Sequence, residues 1–329
     1  MSALAPTLQA FFTDRLGRQR GASPNTVAAY RDTFRLLLRF AAERTHTPPS
    51  ALDIGDLDAP LVAAFLDHLE HGRHNQARTR NNRLAAIHSL FGWAALHHPE
   101  HAASIQRVLA IPTKRVERNL VTYLTAAEVD ALLAACDRTT WTGRRDHALL
   151  ALAVQIGLRI SEPVALTCSD TLLGTGTHVH MVGKGRKERR TSLLPGTVAV
   201  VRAWLTERKG APPDPLFPTS TSHGLSRDAL EHRIALYVAR TVPVCPSLRT
   251  KPVTAHTLRH TAAMRLLLAG VDVTVIALWL GHEQVATTSI YLHADMTQKE
   301  RAIARTQPIG AQPGRYRPPD PILAFLEAL

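Results

Sequence analysis

The spacing of apolar residues in the first hundred positions predicts three helices that share a core. Ser23 and Pro24 form a helix-start signal, and apolar side chains then recur every three or four residues as far as Ala41. The same spacing runs from Asp58 to Leu69 and from Thr79 to His97. The apolar stripe of the last segment comprises Leu84, Ile87, Phe91 and Leu96.

A second pattern begins after a charged, Pro-containing stretch at residues 111–119, which has no apolar period and is typical of an exposed linker. Thr125 and Glu128 then have the spacing of a capping box. Between Thr177 and Leu194 the pattern changes to short alternating runs with glycines, which predicts a small antiparallel sheet. Four later helices are expected at 198–208, 227–240, 254–269 and 273–280, the last two followed by Gly270 and Gly281 as C-caps.

The last residues form a proline-rich stretch, 307–321, followed by a short apolar tail. The prolines rule out a continuous helix, so we interpret this stretch as a tether. We expect the tail to dock in a neighbouring protomer; docking on its own protomer is the alternative that the sequence leaves open. Its apolar residues are Ile322, Leu323, Phe325 and Leu326.

Composition sets the class of protein. The chain has 329 residues, of which 45% are apolar, enough for two domains with separate cores. A net charge of +12 spread over both halves indicates a polyanionic partner. The three cysteines lack the short spacings of a zinc or redox site, and no apolar run is long enough to span a membrane. We therefore expect a cytoplasmic, nucleoid-associated protein without a membrane partner.

Four polar clusters follow one another in the second half. They are Gly157-Leu158-Arg159-Ile160-Ser161-Glu162, Gly183-Lys184-Gly185-Arg186-Lys187-Glu188-Arg189, His256-Thr257-Leu258-Arg259-His260, and Leu280-Gly281-His282 with Tyr291 nine residues after the histidine. Each cluster alone is weak evidence of function. In this order, however, the four clusters resemble those of the tyrosine recombinases, or phage-type integrases, and most closely those of the short Xer-like members. The resemblance covers roughly residues 20 to 300.

The resemblance implies a mainly α fold with a small antiparallel β-sheet, built as a two-domain, C-shaped clamp around DNA. We place a helical, SAM-like core-binding domain at residues 1–112 and a linker at 113–121. The catalytic domain is expected at 122–306, and residues 307–329 form the tether and tail for protomer contact.

Three cations suit the chemistry of a phosphodiester under attack, because negative charge grows on its non-bridging oxygens. Arg159 and Arg259 are expected to bind this phosphate, since a guanidinium donates two parallel hydrogen bonds and stays charged. The leaving 5′ oxygen needs a proton, and the resemblance assigns that role to Lys184, with Lys187 as the alternative.

The remaining catalytic residues are two histidines and a tyrosine. His256 lies one turn before Arg259 and can accept the tyrosine proton or hold the phosphate. By resemblance His282 hydrogen-bonds the scissile phosphate and Tyr291 is the nucleophile. A zinc site on His256 and His260 is the competing interpretation. We expect no metal or other cofactor, and we expect His260 to be a structural, hydrogen-bonding residue. Pro163, where the family usually has Leu, is expected to alter a helix start without abolishing activity.

Polar residues at the start of the third helix, in the linker and in the glycine-rich turn are expected to contact DNA. They are Arg78, Thr79, Arg80, Asn81, Arg83, Lys114, Arg115, Arg186 and Lys187.

The function expected is site-specific recombination of duplex DNA through a 3′-phosphotyrosyl intermediate and a Holliday junction, without metal or ATP. The partners are a double-stranded recombination site and a homotetramer on two such sites. A type IB topoisomerase or telomere resolvase is one alternative, since these enzymes share the chemistry. A non-catalytic DNA-binding regulator is another, although such a protein needs no nucleophile.

Overall fold

The chain divides into two compact units, Met1–Arg118 and Asn119–Leu329. The structure is a computed structural model that describes residues 4–116, 121–183, 188–282 and 287–291. Each unit has a hydrophobic core of its own. None of the described helices is both long and apolar enough to cross a membrane.

The first unit is helical, and its core is formed by the apolar stripes of five helices. Two of them, α1 and α3, continue into wider π-helical segments at Phe11–Gln19 and His68–Gly72. The five helices are α1 (Leu4–Ala10), α2 (Pro24–Thr45), α3 (Ala59–Asp67), α4 (Ala77–Ala94) and α5 (Ala102–Leu109).

The predicted helix starts of this unit are confirmed at two caps. The Ser23 hydroxyl accepts a hydrogen bond from the Thr26 backbone N–H, and the Asp58 carboxylate accepts one from the Leu61 N–H. Helix α4 begins two residues before the predicted Thr79. The prediction that Leu96 lies on the apolar stripe was wrong: α4 ends before it, and its side chain is 81% exposed.

The second unit combines seven α-helices with a three-stranded antiparallel sheet in its described residues, and it confirms the predicted mainly helical fold class. The helices are α6 (Ala126–Ala134), α7 (Trp141–Ile156), α8 (Ser161–Ala165), α9 (Pro195–Arg208), α10 (Arg227–Thr241), α11 (Ala255–Leu268) and α12 (Val273–Leu280). The strands, in sheet order, are β1 (Thr171–Leu172), β2 (His178–Val182) and β3 (Glu188–Ser192).

Local signals explain most of these elements. The capping box of Thr125 and Glu128 starts α6, and a second one at Thr254 starts α11. The sheet predicted between Thr177 and Leu194 is present as β2 and β3, with Met181 opposite Arg189. Helix α7 and strand β1 were not predicted. Helix α7 is buried nearly all round, so it lacks the one-sided apolar stripe that reveals a surface helix.

Candidate active site

The two predicted catalytic arginines, Arg159 and Arg259, converge on the end of α12. Arg259 lies on α11 and is 2% exposed. Its Nη2 donates to the Leu280 carbonyl at 2.6 Å, and its Nη1 donates to the Gly157 carbonyl at 2.6 Å. Arg159 follows α7, and its Nη2 donates to the Gly281 carbonyl. The guanidinium groups therefore meet at two consecutive carbonyls, although 100 residues separate them in the chain (159 and 259).

A buried carboxylate and a third arginine complete this cluster. Glu162, whose side chain is 3% exposed, accepts from Arg159 Nη1 at 3.0 Å and from Arg189 Nη2 at 2.8 Å. Arg189 Nη1 also donates to the Leu280 carbonyl. Pro163 is the third residue of α8, where its missing N–H removes no helical hydrogen bond. We call Arg159, Glu162, Arg189 and Arg259 the guanidinium cluster.

The guanidinium cluster holds three cations and one carboxylate, so its four groups carry a net charge of +2. Burial, followed by the like charges of Arg159 and Arg189, lowers the pKa of Arg259 to about 10. That value still leaves the guanidinium protonated near neutral pH. The excess of buried positive charge makes the cluster suited to an anion such as a phosphodiester.

Two glycines allow the close packing under the cluster. Gly157 ends α7 with a φ of +68°, and a Cβ there would lie 2.5 Å from a methyl carbon of Leu280. Gly281 ends α12 with a φ of +65°, and a Cβ there would lie 3.0 Å from Nη1 of Arg189. Side chains at these positions would push the carbonyls and the arginines apart.

Tyr291 is buried next to the guanidinium cluster. Its ring packs in a small apolar cluster with Met264, Ile276 and Leu280, and only 1% of the residue is exposed. The hydroxyl is within hydrogen-bonding distance of His260 Nδ1, at 2.9 Å. Burial raises the pKa of Tyr291 to about 12, and the charge of Arg259 opposes this rise.

The two histidines of α11 differ in their contacts with Tyr291. His260, which was expected to be a structural hydrogen-bonding residue, contacts the Tyr291 hydroxyl, whereas His256 packs edge-on against the His260 ring, with centroids 4.1 Å apart. Burial, then His256 and Arg259, lower the pKa of His260 to about 4. His260 is thus a neutral imidazole at pH 7. Its place one residue after Arg259 and one turn after His256 was the available sequence signal.

His282 emerges from the same end of α12. Its Nδ1 lies 2.7 Å from the hydroxyl of Thr288, and its backbone N–H donates to the Ala277 carbonyl. Burial, then the three arginines of the cluster, lower the pKa of His282 to about 4. Within the described residues no group of three or more His, Cys, Asp and Glu side chains is arranged to hold a metal ion.

The remaining predicted site residues differ in whether the structure describes them and in how exposed they are. Lys184, Arg186 and Lys187 lie outside the described residues, as does the C-terminal tail. In the first unit Arg78, Thr79, Lys114 and Arg115 are exposed, and Asn81 and Arg83 are partly exposed. Arg80 differs from the prediction of a DNA-facing side chain. It is 6% exposed, donates to the Pro112 carbonyl at 3.2 Å, and lies 3.7 Å from Glu70.

Arg189 is the arginine of the cluster to which the sequence interpretation gave no role, although it stands in the quoted glycine-rich string. The signal was its position in a strand, because alternate residues of β3 face the same way. Thr191 is buried and Arg190 is exposed, so Arg189 falls on the inward side.

Comparisons with known proteins identify the family of this chain. The model of the phage integrase family matches residues 122–298, and that of the phage integrase N-terminal SAM-like domain matches residues 10–98. The chain belongs to the phage integrase family. Members of this tyrosine recombinase family cleave and rejoin DNA at specific sites.

Two relatives extend over nearly the whole of this integrase-family chain. A Sinorhizobium fredii protein named "Putative integrase/recombinase y4rC" is 53% identical over 328 residues, covering 100% of this chain and 99% of the relative. The tyrosine recombinase XerD of Pseudomonas putida is 31% identical over 319 residues, covering 94% of this chain and 100% of XerD.

Solved structures show the same fold. The XerH site-specific recombinase, in a post-cleavage complex with a palindromic difH substrate, superposes with a TM-score of 0.65 at 23% identity, covering 87% of this chain and 81% of XerH. A lambda integrase dimer bound to a COC′ core site gives a TM-score of 0.63 at 18% identity, covering 89% of this chain and 77% of that one.

Proposed function

We propose that this protein recombines duplex DNA at a specific site, with Tyr291 as the nucleophile. The tyrosine oxygen attacks a phosphodiester, a 3′-phosphotyrosyl bond forms, and the bond to the 5′ oxygen breaks. The observation that carries the proposal is the guanidinium cluster, whose surplus positive charge is buried beside the Tyr291 hydroxyl. Such a site stabilises the negative charge that develops on the phosphate.

Two proton transfers accompany cleavage: the tyrosine hydroxyl loses a proton, and the departing 5′ oxygen gains one. The phenolic proton leaves towards the adjacent imidazoles of His260 and His256, of which His260 already contacts the hydroxyl. Lys184 supplies a proton to the departing 5′ oxygen, and His282 donates to the phosphate. The phosphotyrosyl bond conserves the energy of the phosphodiester, so rejoining to another 5′ hydroxyl needs neither metal nor ATP.

Tyr291 changes position before it reacts. With 1% of the residue exposed and its ring among apolar side chains, a phosphate has no access to the hydroxyl in this conformation. DNA binding or protomer assembly supplies the free energy that releases the ring. The conformation described is therefore a resting one.

Four protomers act on two sites and exchange strands through a Holliday junction. Support comes from the chain's likeness in fold to recombinases solved with their DNA sites, XerH with difH and lambda integrase with a core site. The apolar tail docks in a neighbouring protomer. Deleting residues 320–329 is then expected to weaken the pairing of two sites and to leave single-site binding nearly intact. If the deletion changes neither the pairing nor the binding, the docking proposal is wrong.

DNA contacts in the first unit come from the exposed cations at the start of α4 and in the linker, with Arg80 as an internal support. Arg186 and Lys187 contribute from the glycine-rich turn. We propose the core-binding domain at 1–112, the linker at 113–121, the catalytic domain at 122–306, and the tether and tail at 307–329.

A covalent trap tests the function directly. The protein is incubated with DNA fragments that flank its gene, denatured in detergent, and the DNA that remains bound to protein is sequenced at its ends. We expect a single family of sites from the wild type and no adduct from Tyr291→Phe, which still binds DNA. Binding without any adduct favours a non-catalytic regulator, and relaxation of supercoiled DNA that lacks the site favours a topoisomerase.

A further inference from the structure

Arg189 occupies a position in the guanidinium cluster that the proposed roles leave unassigned. It lies on β3 opposite Met181 of β2, and 10% of its side chain is exposed. Its neighbour Arg190 lies on the same strand, has the same charge and is exposed. Burial lowers the pKa of Arg189, while Glu162 raises it. A buried arginine is costly unless its donors are matched, so its contacts identify its role.

The contacts of Arg189 join three elements. Nη2 donates to Glu162 Oε2 at the start of α8, at 2.8 Å, and lies 3.4 Å from the Met181 sulfur. Nη1 donates to the Leu280 carbonyl at the end of α12. Arg189 is the second residue of β3, the strand that pairs with β2. Through this one side chain, β3 is bound both to α8 and to the end of α12.

Glu162 is the point at which Arg189 acts on Arg159. One carboxylate oxygen, Oε1, accepts from Arg159 Nη1, and the other, Oε2, accepts both from the Arg159 backbone N–H at 2.7 Å and from Arg189. Arg189 therefore helps to fix the rotation of the carboxylate that orients the Arg159 guanidinium. The Leu280 carbonyl makes a second link, because Arg259 and Arg189 both donate to it.

We propose that Arg189 is a positioning residue of the cleavage step, which sets the orientation of Arg159 through Glu162 and binds strand β3 to the end of α12. This role rests on the proposed function, since it presumes that Arg159 acts on the phosphate. A misplacement of about 1 Å among groups that act on a transition state costs on the order of a hundredfold in rate.

The test compares Arg189→Ala and Arg189→Lys with Arg190→Ala, which removes the same charge from the exposed face of the same strand. The rate of covalent adduct formation is measured at saturating protein, on the fragment captured by the wild type, and the DNA Kd is measured separately. We expect Arg189→Ala to slow adduct formation about a hundredfold with Kd changed less than about threefold. Arg189→Lys remains slow because an ammonium lacks the planar fork of donors, and Arg190→Ala stays within about twofold of the wild type.

A double-mutant cycle separates positioning from a general loss of stability. If Arg189 acts through Glu162, Arg189→Ala combined with Glu162→Gln is no slower than the more damaged single variant. Three results would overturn this inference and leave the proposed function standing. They are additive losses of rate in the double variant, equal losses of rate in Arg189→Ala and Arg190→Ala, and a wild-type rate in Arg189→Ala. Absence of any adduct from the wild type overturns the proposed function, and this inference with it.

Discussion

The basic residues of the two units differ in their exposure to water and in the carboxylates that neutralise them. In the first unit Arg78, at the start of α4, is exposed. Lys114, with 49% of its side chain exposed, pairs with Glu70 at 2.6 Å. In the second unit Arg159 and Arg189 share a single carboxylate, Glu162, and Arg259, which is 2% exposed, donates to the Gly157 and Leu280 carbonyls. Water screens the first group, whereas the second keeps its charge in a medium of low dielectric constant.

This difference indicates where chemistry takes place. An exposed cation costs the fold little and attracts a phosphate backbone over a distance, as a binding surface requires. A buried surplus of positive charge opposes folding, and its fixed orientation makes it effective at a charge that appears only in a transition state. We therefore expect substitutions in the first unit to alter DNA affinity, and substitutions in the guanidinium cluster to alter the rate of cleavage.

The largest effect is expected from Arg259→Lys. The variant keeps the charge but loses the fork of donors that reaches the Gly157 and Leu280 carbonyls, and it should slow adduct formation about 10²–10³-fold at saturating DNA. Arg265→Lys is the control, since Arg265 is exposed on the same helix. A large rise in Kd with an unchanged maximal rate would place Arg259 among the binding cations instead.

Much of the fold was predictable because it depends on local signals. Helix α12 was predicted with its observed bounds, and α11 to within one residue at each end, since Thr254 and Gly270 mark its limits. These caps act on neighbouring backbone groups, so sequence alone reveals them. Helix α7 was missed for the opposite reason, because burial on all sides leaves no polar face to give a period.

The site was predictable only in part. The order of motifs identified the arginines and Tyr291 as members of one site, but it gave no contacts. Arg80 and Arg78 are two residues apart, yet one is buried and the other exposed, a difference set by the packing of the Pro112 segment. The contact between His260 and Tyr291 depends on where the chain returns after α12, which the sequence pattern does not specify.

A second prediction concerns the resting position of Tyr291. His260→Ala removes the partner of a buried hydroxyl and should lower the free energy of unfolding by about 1–3 kcal/mol, whereas His260→Asn places an acceptor near the position of Nδ1 and should cost less. Urea unfolding followed by tryptophan fluorescence measures both. His256→Ala is the control, because its exposed ring does not bond Tyr291; an equal loss there would argue against the hydrogen bond.

The third prediction uses the lowered pKa values of His260 and His282, both about 4. Well above pH 6.5, the ordinary pKa of histidine, both imidazoles are neutral in the folded and unfolded chain. Between pH 6.5 and 4 the unfolded chain binds protons that the folded chain does not, so stability falls as pH falls. The loss is at most about 1.4 kcal/mol per pH unit for each histidine, reduced by partial exposure. In His282→Asn the free energy of unfolding, measured by urea unfolding, should change less steeply with pH between pH 6.5 and 5 than in the wild type. An unchanged slope would contradict the lowered pKa of His282.

The smallest effect is expected in the first unit, where it tests the distinction between exposed and buried cations. Arg78→Ala should weaken DNA binding and reduce the slope of log K against log salt by about 1, because one exposed phosphate contact is lost. Arg80→Ala should leave that slope unchanged and lower stability instead, since Arg80 lies 3.7 Å from Glu70, whose side chain is only 13% exposed. If the two results are reversed, Arg80 leaves its internal contacts when DNA binds, and burial in the free protein is no guide to which cations meet the phosphates.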